Sequence, residues 1–326
     1  MKNAINSMAA ALSFAAIALL TLPLSNALAD YPERRLTAIV PFAAGSSTDM
    51  MARRISPPLA KALGQQVIIE NKPGAAGRIG VVALTKSPAD GYTILFSGQA
   101  MSLIPAMHRN VPWDPARDIQ PVAELGKSAY VVGVNSTVPA KDLRDFVKLA
   151  KTFPGKLNGS AGGNGTRMAI ALFRIKTGTR METIPFKGTG LAALAVASGE
   201  VDFAIMDASA WVSLIPTGRV RVLAVSGEKR LAALPDVPTT AEGGLPDYQA
   251  GTMFGVYTKR GAPMDAVQRL NAEINKITAA PEVAKSLDAV GLDLDPKSVE
   301  EFTRQYLSDL AKWKDVVARA KIPMTD

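Results

Sequence analysis

The 326-residue chain contains no cysteine. Disulfide bonds, thiolate metal ligands and cysteine nucleophiles are therefore excluded. An exported protein that is anchored through a lipid carries that lipid on a cysteine at its mature N-terminus. The absence of cysteine therefore also predicts that the mature chain is not lipid-anchored.

Histidine is almost as scarce, since His108 is the only one. It lies in a segment without a regular pattern and far from any GxSxG sequence, which argues against a serine–histidine nucleophile pair. A histidine-based zinc site is also unsupported, because the chain has no HExxH motif. The phrase FKGTGLAAL offers only the weak form of a dinucleotide fingerprint. We therefore predict no enzyme activity, no metal and no cofactor.

Long runs of one charge are missing as well. The 37 basic and 29 acidic residues give a net charge of +8, and the basic residues are scattered along the chain. This distribution predicts no nucleic-acid partner. It is explained by a solvated basic surface and is compatible with a preference for small anionic ligands.

The N-terminus does have a recognisable pattern. Residues 1–29 contain one charge, at Lys2, followed by an apolar run and by the sequence Ala27-Leu28-Ala29. This order predicts a secretory signal peptide that is cleaved after Ala29, and hence a periplasmic protein. A membrane anchor is the alternative, because residues 8–24 are about long enough to span a bilayer, although polar residues and a proline interrupt them.

Residues 36–55, LTAIVPFAAGSSTDMMARRI, predict a strand, a loop of small residues and a helix that begins near Asp49. The first N–H groups of such a helix have no intrahelical acceptor and lie at the positive end of its dipole. They therefore form an anion-binding site. Gly45 permits a tight turn, and Ser46, Ser47 and Thr48 supply hydroxyl groups and a helix cap.

The same alternation continues with the strands QVIIEN and YTILFS and with a glycine-rich connection into a helix from Ile79. It predicts a parallel α/β sheet, whose ligands bind beyond the carboxyl ends of its strands. Ser97 and Gly98 follow one such end. The pair Pro57-Pro58 is predicted to end or kink the first helix.

Residues 100–128 show no regular pattern and are predicted to be irregular. AYVVGVN then crosses to a second α/β run, in which the loop GGNGT precedes a helix, and TMFGVYTK returns from it. Three helices follow. Apolar residues at three- and four-residue spacing in the last one, from Val299 to Val317, predict a face that packs against the first run.

Several segments occur in a fixed order along the chain: YPERRLTAIVPFAAGSSTD, LGQQVIIENKPGAAGRIG, ADGYTILF, VPWDPARDIQPVAEL, FPGKLNGSAGGNGT, IPFKGTG, SGEVDFAIMD and GRVRVLAVSGEKRLAALPDVPTTAEGGLP. In these segments and in their order the chain resembles the Bug-type, or TctC-like, receptors of tripartite tricarboxylate transporters. The resemblance runs from Tyr31 almost to the C-terminus. Two positions depart from the family pattern: Ser46 stands where a second glycine is usual, and Met168 or its neighbours stand where a histidine is often found.

The resemblance implies a type II-like periplasmic-binding-protein fold, in which two α/β lobes are joined by crossing hinge segments and enclose a ligand cleft. It places residues 30–128 and 253–326 in lobe 1 and residues 129–252 in lobe 2. It also implies a monomer that captures a small organic carboxylate and delivers it to the permease subunits of a tripartite tricarboxylate-type membrane transporter. Two alternatives remain open, namely an exported enzyme that acts on a small carboxylate and a sensory binding protein that signals to a membrane kinase.

The ligand-binding residues that we predict lie in two loops and at two further strand ends. Asp49 either contacts the ligand or braces its loop, and Asp207 either accepts a hydrogen bond from the ligand or is an ordinary turn aspartate. The predicted set is Phe42, Ala43, Ala44, Gly45, Ser46, Ser47, Asp49, Ser97, Gly98, Ser160, Gly163, Asn164, Gly165, Thr166 and Asp207.

Overall fold

A computed structural model of the protein describes residues 31–288 and 292–325, so the predicted signal peptide, residues 1–29, lies outside the described residues. The strands are β1 (Leu36–Val40), β2 (Val67–Asn71), β3 (Thr93–Ser97), β4 (Ile119–Asn135), β5 (Asn158–Ala161), β6 (Glu182–Pro185), β7 (Phe203–Asp207), β8 (Val220–Val225), β9 (Gly251–Lys259) and β10 (Leu292–Asp293). The α-helices are α1 (Ser47–Leu63), α2 (Arg78–Lys86), α3 (Ala100–Met107), α4 (Leu143–Thr152), α5 (Asn164–Thr177), α6 (Thr189–Ser198), α7 (Ala208–Val212), α8 (Met264–Ala279), α9 (Pro281–Asp288) and α10 (Val299–Arg319).

The strands form one mixed sheet in the order β2-β1-β3-β9-β4-β7-β5-β6, and β8 and β10 also pair with β4. Strands β2, β1 and β3 are parallel, as are β6, β5 and β7. The prediction of a parallel sheet is therefore correct for each of these two groups and wrong for the strands that join them. Strand β9 runs antiparallel to β3 and to β4, and β4 runs antiparallel to β7.

The two groups are joined by the long strand β4 and by β9. Strand β4 has 17 residues, and its pairing with β9 shifts register twice, between Pro121 and Ala123 and between Glu124 and Gly126. Such irregularities bend and twist a strand. They allow one strand to belong to both halves of a curled sheet. The lobe boundaries at residues 128/129 and 252/253 stay a prediction.

One sequence expectation about an individual segment is wrong, and another is decided only in part. Residues 100–128 are not irregular, because α3 and the first part of β4 lie there. Helix α1 does not end at Pro57 and Pro58 but continues to its left-handed cap at Gly64, so the predicted end is wrong, and a kink at the prolines stays a prediction. Both prolines lie on the more exposed side of the helix, where water satisfies the carbonyl groups that lose an N–H partner.

Separate apolar cores cover the two halves of the sheet. Leu36 and Ile55 belong to the first core, and Phe146, Phe173 and Phe203 belong to the second. In the second core the ring centroids of Phe146 and Phe203 lie 5.2 Å apart in an edge-to-face arrangement, which aromatic pairs favour. Each half therefore holds its own strand ends and loops in place.

The C-terminal helix α10 buries the predicted apolar face, but this face contacts both halves. Phe302 and Tyr306 pack with residues of the first half, whereas Trp313 and Val317 belong to the core of the second. The expectation that the face packs against the first run alone is therefore wrong for its C-terminal part. A capping box between Ser298 and Glu301 starts the helix, as the sequence predicts.

Candidate functional site

A cavity of about 320 Å³ lies where the loops after β1, β3 and β5 face one another. Its position matches the rule that ligands of α/β sheets bind beyond the carboxyl ends of the strands. The lining residues are Phe42, Ser46, Ser47, Thr48, Ala76, Gly98, Gln99, Ala100, Leu103, Ile104, Tyr130, Asn164, Gly165, Thr252 and Phe254.

Three helices, α1, α3 and α5, begin at this cavity, at Ser47, Ala100 and Asn164. Within the described residues, the backbone N–H groups of Ser47 and Asn164 have no hydrogen-bond acceptor. Each helix N-terminus carries a partial positive charge, and free N–H groups at that end bind anions. The cavity is therefore suited to a negatively charged group.

Among the described residues, no charged side chain belongs to the lining. The polar side chains there are the neutral hydroxyl and amide groups of serine, threonine, tyrosine, asparagine and glutamine. An anion in this cavity would therefore be held by helix dipoles and neutral hydrogen-bond donors rather than by an ion pair. The aliphatic and aromatic side chains of Phe42, Leu103 and Phe254 provide an apolar surface beside these donors.

The loop between β1 and α1 is fixed from behind by the carboxylate of Asp49, which is buried. It accepts hydrogen bonds from the Gly45 backbone N–H at 2.8 Å, from Arg53 Nε at 2.8 Å and from Asn71 Nδ2 at 2.9 Å. The same Asn71 amide donates to the Phe42 carbonyl oxygen at 3.1 Å. The Arg53 hydrogen bond is the main cause that lowers the Asp49 pKa to about 2. The carboxylate is thus engaged by the protein itself.

The facing loop, before α5, has a similar internal brace. Thr166 Oγ1 accepts a hydrogen bond from the Gly163 N–H at 3.2 Å and donates one to the Gly163 carbonyl oxygen at 3.0 Å. Gly165 is glycine for a steric reason, since a Cβ atom there would lie 2.6 Å from Tyr130 Oη and 3.0 Å from Gln99 Oε1. The absence of a side chain at Gly165 therefore keeps these two polar groups against the helix start.

The remaining polar side of the cavity is formed by Gln99, Tyr130 and Thr252. Tyr130 Oη and Thr252 Oγ1 are 3.1 Å apart and hydrogen-bonded. Burial raises the pKa of Tyr130, so its hydroxyl stays protonated at neutral pH. Gln99 is only 8% exposed, and within the described residues its side-chain amide has no hydrogen-bond partner. The amide atoms of Gln99 are not among the fully buried polar atoms without a partner, so they are accessible from the cavity to a ligand or water.

Six of the fifteen predicted residues line the cavity, namely Phe42, Ser46, Ser47, Gly98, Asn164 and Gly165. Asp49, Gly163 and Thr166 support the two loops from outside the lining, as described above. Ala43, Ala44 and Gly45 are exposed at the loop's tip. These twelve predicted residues therefore lie in one region, where some line the cavity, some support its loops and some are exposed at the tip of a loop.

Three further predicted residues lie deeper in the protein. Ser160 Oγ donates to the Ala192 carbonyl oxygen at 2.8 Å, and Ser97 Oγ is buried without a partner in the described part of the chain. Asp207 pairs across the sheet with Tyr130 and accepts a hydrogen bond from Ser128 Oγ at 3.3 Å. Burial raises the Asp207 pKa. None of the three lines the cavity.

Sequence reasoning missed several lining residues, above all Gln99 and the residues of α3. The available signal for Gln99 was its place directly after the predicted strand end at Gly98. Ala76 was missed because it lies in the loop NKPGAAG, where Ala75 and Ala76 adopt positive φ angles of 46° and 56°. Such angles are uncommon for alanine and cluster at functional sites.

A larger hollow of about 500 Å³ shares Gln99 and Thr252 with the cavity. All but one of its charged lining groups, Glu228, already have partners within the described residues. Lys229 Nζ lies 2.7 Å from Asp293 Oδ1, for example, and Lys312 Nζ donates to the Gln249 carbonyl oxygen at 2.9 Å. We therefore place the candidate site in the smaller cavity, where free donors converge.

Residues 31–288 and 292–325 contain no group of three histidine, aspartate or glutamate side chains arranged to hold a metal ion. In the same ranges, no helix combines the length and the apolar character that crossing a membrane requires.

Comparison with known proteins gives a family match over most of the chain. Residues 51–322 match the family described as "Tripartite tricarboxylate transporter family receptor". The protein BugT of Bordetella pertussis is 32% identical over 296 residues, which is 88% of this chain and 89% of BugT.

Solved structures agree with this match. A TctC solute-binding protein from Polaromonas superposes with a TM-score of 0.79 at 28% identity, covering 89% of this chain and 99% of that protein. The R. palustris protein Rpa4515, solved with adipate, gives a TM-score of 0.75 at 30% identity, covering 90% of this chain and 99% of that protein. The fold is thus the type II-like periplasmic-binding-protein fold that the sequence predicts.

Proposed function

Because this chain belongs to the tripartite tricarboxylate transporter receptor family, we propose that it is a periplasmic solute-binding protein for a small organic carboxylate. It is exported by a cleaved signal peptide and hands its ligand to the permease subunits of a tripartite tricarboxylate-type transporter. Family membership supports the permease as partner. The cavity supports the class of ligand.

The observation that carries the ligand class is the convergence of three helix N-termini on a cavity whose lining has no charged side chain. A carboxylate accepts hydrogen bonds from several N–H groups at once, and each helix dipole contributes about 0.3–1 kcal/mol to its binding. The apolar part of the cavity accommodates a short carbon chain. The adipate bound to Rpa4515 has this combination of carboxylates and methylene groups.

In this proposal, the protein captures its ligand when the two halves of the sheet close around it. The loop before α1 belongs to one half of the sheet and the loop before α5 to the other, and β4 and β9 join the halves. A ligand that contacts both loops favours the arrangement in which they are close, because it binds that arrangement more tightly. Small-angle scattering should then show a smaller radius of gyration at saturation.

The proposal is tested by thermal unfolding of the mature protein with a panel of mono- and dicarboxylates that includes adipate. The corresponding neutral amides serve as matched controls. A ligand at a hundredfold excess over its Kd adds about 2.7 kcal/mol of stability and should raise Tm by about 5 °C. Isothermal titration calorimetry then gives the affinity of each acid that raises Tm.

The proposal fails if the amides stabilise the protein as much as the acids do, or if no acid of the panel binds. Proton NMR of each bound acid over several hours separates binding from catalysis. Conversion of the acid into a product would favour the alternative of an exported enzyme.

A further inference from the structure

A second surface feature lies far from the ligand cavity. It is a groove of about 570 Å³ between α4, the end of α5 and the loop of residues 243–245. The ligand cavity lies at the N-terminal end of α5, whereas Lys176 and Thr177, at its C-terminal end, line the groove. A helix of 14 residues is about 21 Å long, so the two places are separated by roughly that distance.

The groove carries charge of only one sign. Four basic residues, Arg144, Lys148, Lys151 and Lys176, line it, and no aspartate or glutamate of the part of the chain that the structure describes does. Within the described residues none of the four forms an ion pair, although Arg269 and other surface cations do. Four unpaired cations around one concave surface repel one another, and an anionic partner that binds there offsets this repulsion.

Helix dipoles explain only part of this cluster. Lys151 and Lys176 lie in the last turns of α4 and α5, where cations are favourable. Arg144, in contrast, lies in the first turn of α4, where a cation is unfavourable. It also stands four residues before Lys148, and like charges at that spacing destabilise a helix. The arrangement therefore costs the isolated protein some stability.

The floor of the groove is apolar. Leu143 is buried, and Val147 and Leu245 are partly exposed to the groove. A flat membrane surface contacts the basic rim of a concave groove but does not reach such a floor. An extended peptide does, because successive side chains of an extended chain point in opposite directions.

We propose that this groove is a docking site for an extended, acidic segment of a partner protein, in which Asp or Glu residues alternate with aliphatic ones. The aliphatic side chains, on one face of the extended segment, contact the floor, and the long lysine and arginine side chains of the rim reach the acidic side chains on its other face. Charge complementarity sets the rate and orientation of binding, and the floor adds specificity for the aliphatic residues.

The test uses the mature protein and two fluorescein-labelled peptides, one alternating glutamate with valine and one alternating glutamate with serine. Fluorescence anisotropy measures the binding of each peptide at physiological salt. Vesicles containing phosphatidylglycerol, in a flotation assay, test the membrane alternative. The groove variant is Lys151→Glu/Lys176→Glu. Its matched control is Lys61→Glu/Lys86→Glu, which changes two exposed last-turn lysines of α1 and α2.

We expect the valine peptide to bind more tightly than the serine peptide. The groove variant should weaken the binding of the valine peptide about tenfold, because two attractive contacts become repulsive, and the control should have little effect. Val147→Ser should reduce the preference for the valine peptide. Circular dichroism verifies that each variant is folded.

Three outcomes would overturn the proposal. Equal losses in the groove variant and the control would show a general attraction to a basic protein. Equal binding of the two peptides would remove the role of the floor. Binding of vesicles, but not of peptide, that depends on Lys151 and Lys176 would assign the groove to lipid headgroups instead.

Discussion

The buried carboxylate of Asp49 offers a direct test of how the first loop is held. In Asp49→Asn, the single amide oxygen replaces two carboxylate oxygens that accept from Gly45, Arg53 and Asn71. The new amide NH₂ group must face one of these donors. If the new NH₂ group faces Asn71, the Asn71 side-chain amide must flip so that its oxygen accepts the hydrogen bond. The flipped amide then no longer donates to the Phe42 carbonyl oxygen.

The expected cost follows from these contacts. One hydrogen bond to a charged group is lost, and one buried donor is left without an acceptor. Together they should lower the free energy of unfolding by about 2–4 kcal/mol. The loop also becomes less well positioned, so the affinity for the carboxylate ligand should fall as well. Urea denaturation and calorimetry measure the two effects.

Asp315→Asn is the matched control. Asp315 also pairs with an arginine four residues later, Arg319, but both side chains are more than half exposed. Such a pair contributes only about 0.3–0.5 kcal/mol. If the two variants lose the same small amount of stability, the Asp49 network does not hold the loop and the reasoning about this site is wrong.

Three further predictions concern the same site. Gly165→Ala should weaken ligand binding about tenfold, because its Cβ atom would lie 2.6 Å from Tyr130 Oη. Gly163→Ala is the control: its Cβ atom has open space around it, so this variant should bind the ligand normally. Equal affinities of the two variants in calorimetry would contradict this steric argument. Gln99→Leu should change the stability of the empty protein little, since within the described residues the amide makes no hydrogen bond, but should weaken a ligand that uses this amide by about two- to tenfold. Thermal unfolding with and without ligand measures both effects, and unchanged affinity would remove Gln99 from the site. The Asp49 pKa is lower in the folded protein than in the unfolded chain, so the contribution of the Asp49 carboxylate to the free energy of unfolding is present above about pH 4 and is lost as the pH falls towards 2. The difference in stability between wild type and Asp49→Asn should therefore shrink over this pH range in urea titrations. A constant difference would contradict the lowered pKa.

Local signals in the sequence were sufficient for most of the helices and strands. The cap at Gly64, the capping box at Ser298 and the alternation of strands with glycine-rich loops each have a local physical cause, and the structure contains them. Helix α3 was missed because its apolar residues face tertiary neighbours on most sides, which removes the polar face that marks a surface helix. The sequence did not decide whether Pro57 ends helix α1, because the pattern did not show that the proline lies on the exposed side.

The sequence was sufficient to predict the two loops of the candidate site, but not which of their residues face the cavity and which support the loops from behind. A small-residue loop before a helix favours an anion site, so Ser47 and Asn164 belonged to the predicted set, and both line the cavity; that they bind the ligand stays a prediction. Which groups face the cavity depends on contacts between residues distant in the chain. Gln99, Tyr130 and Thr252 meet only because β3, β4 and β9 are neighbours in the sheet.

The C-terminal helix α10 also has a consequence for folding. Its N-terminal part completes the core of the first half and its C-terminal part that of the second, through Trp313 and Val317. The first half therefore reaches its final packing only when Phe302 and Tyr306 are available, and the second half only when Trp313 and Val317 are. We expect the two halves to unfold together, in one cooperative transition, and a chain that is truncated before Val299 to lose packing in both cores rather than in one.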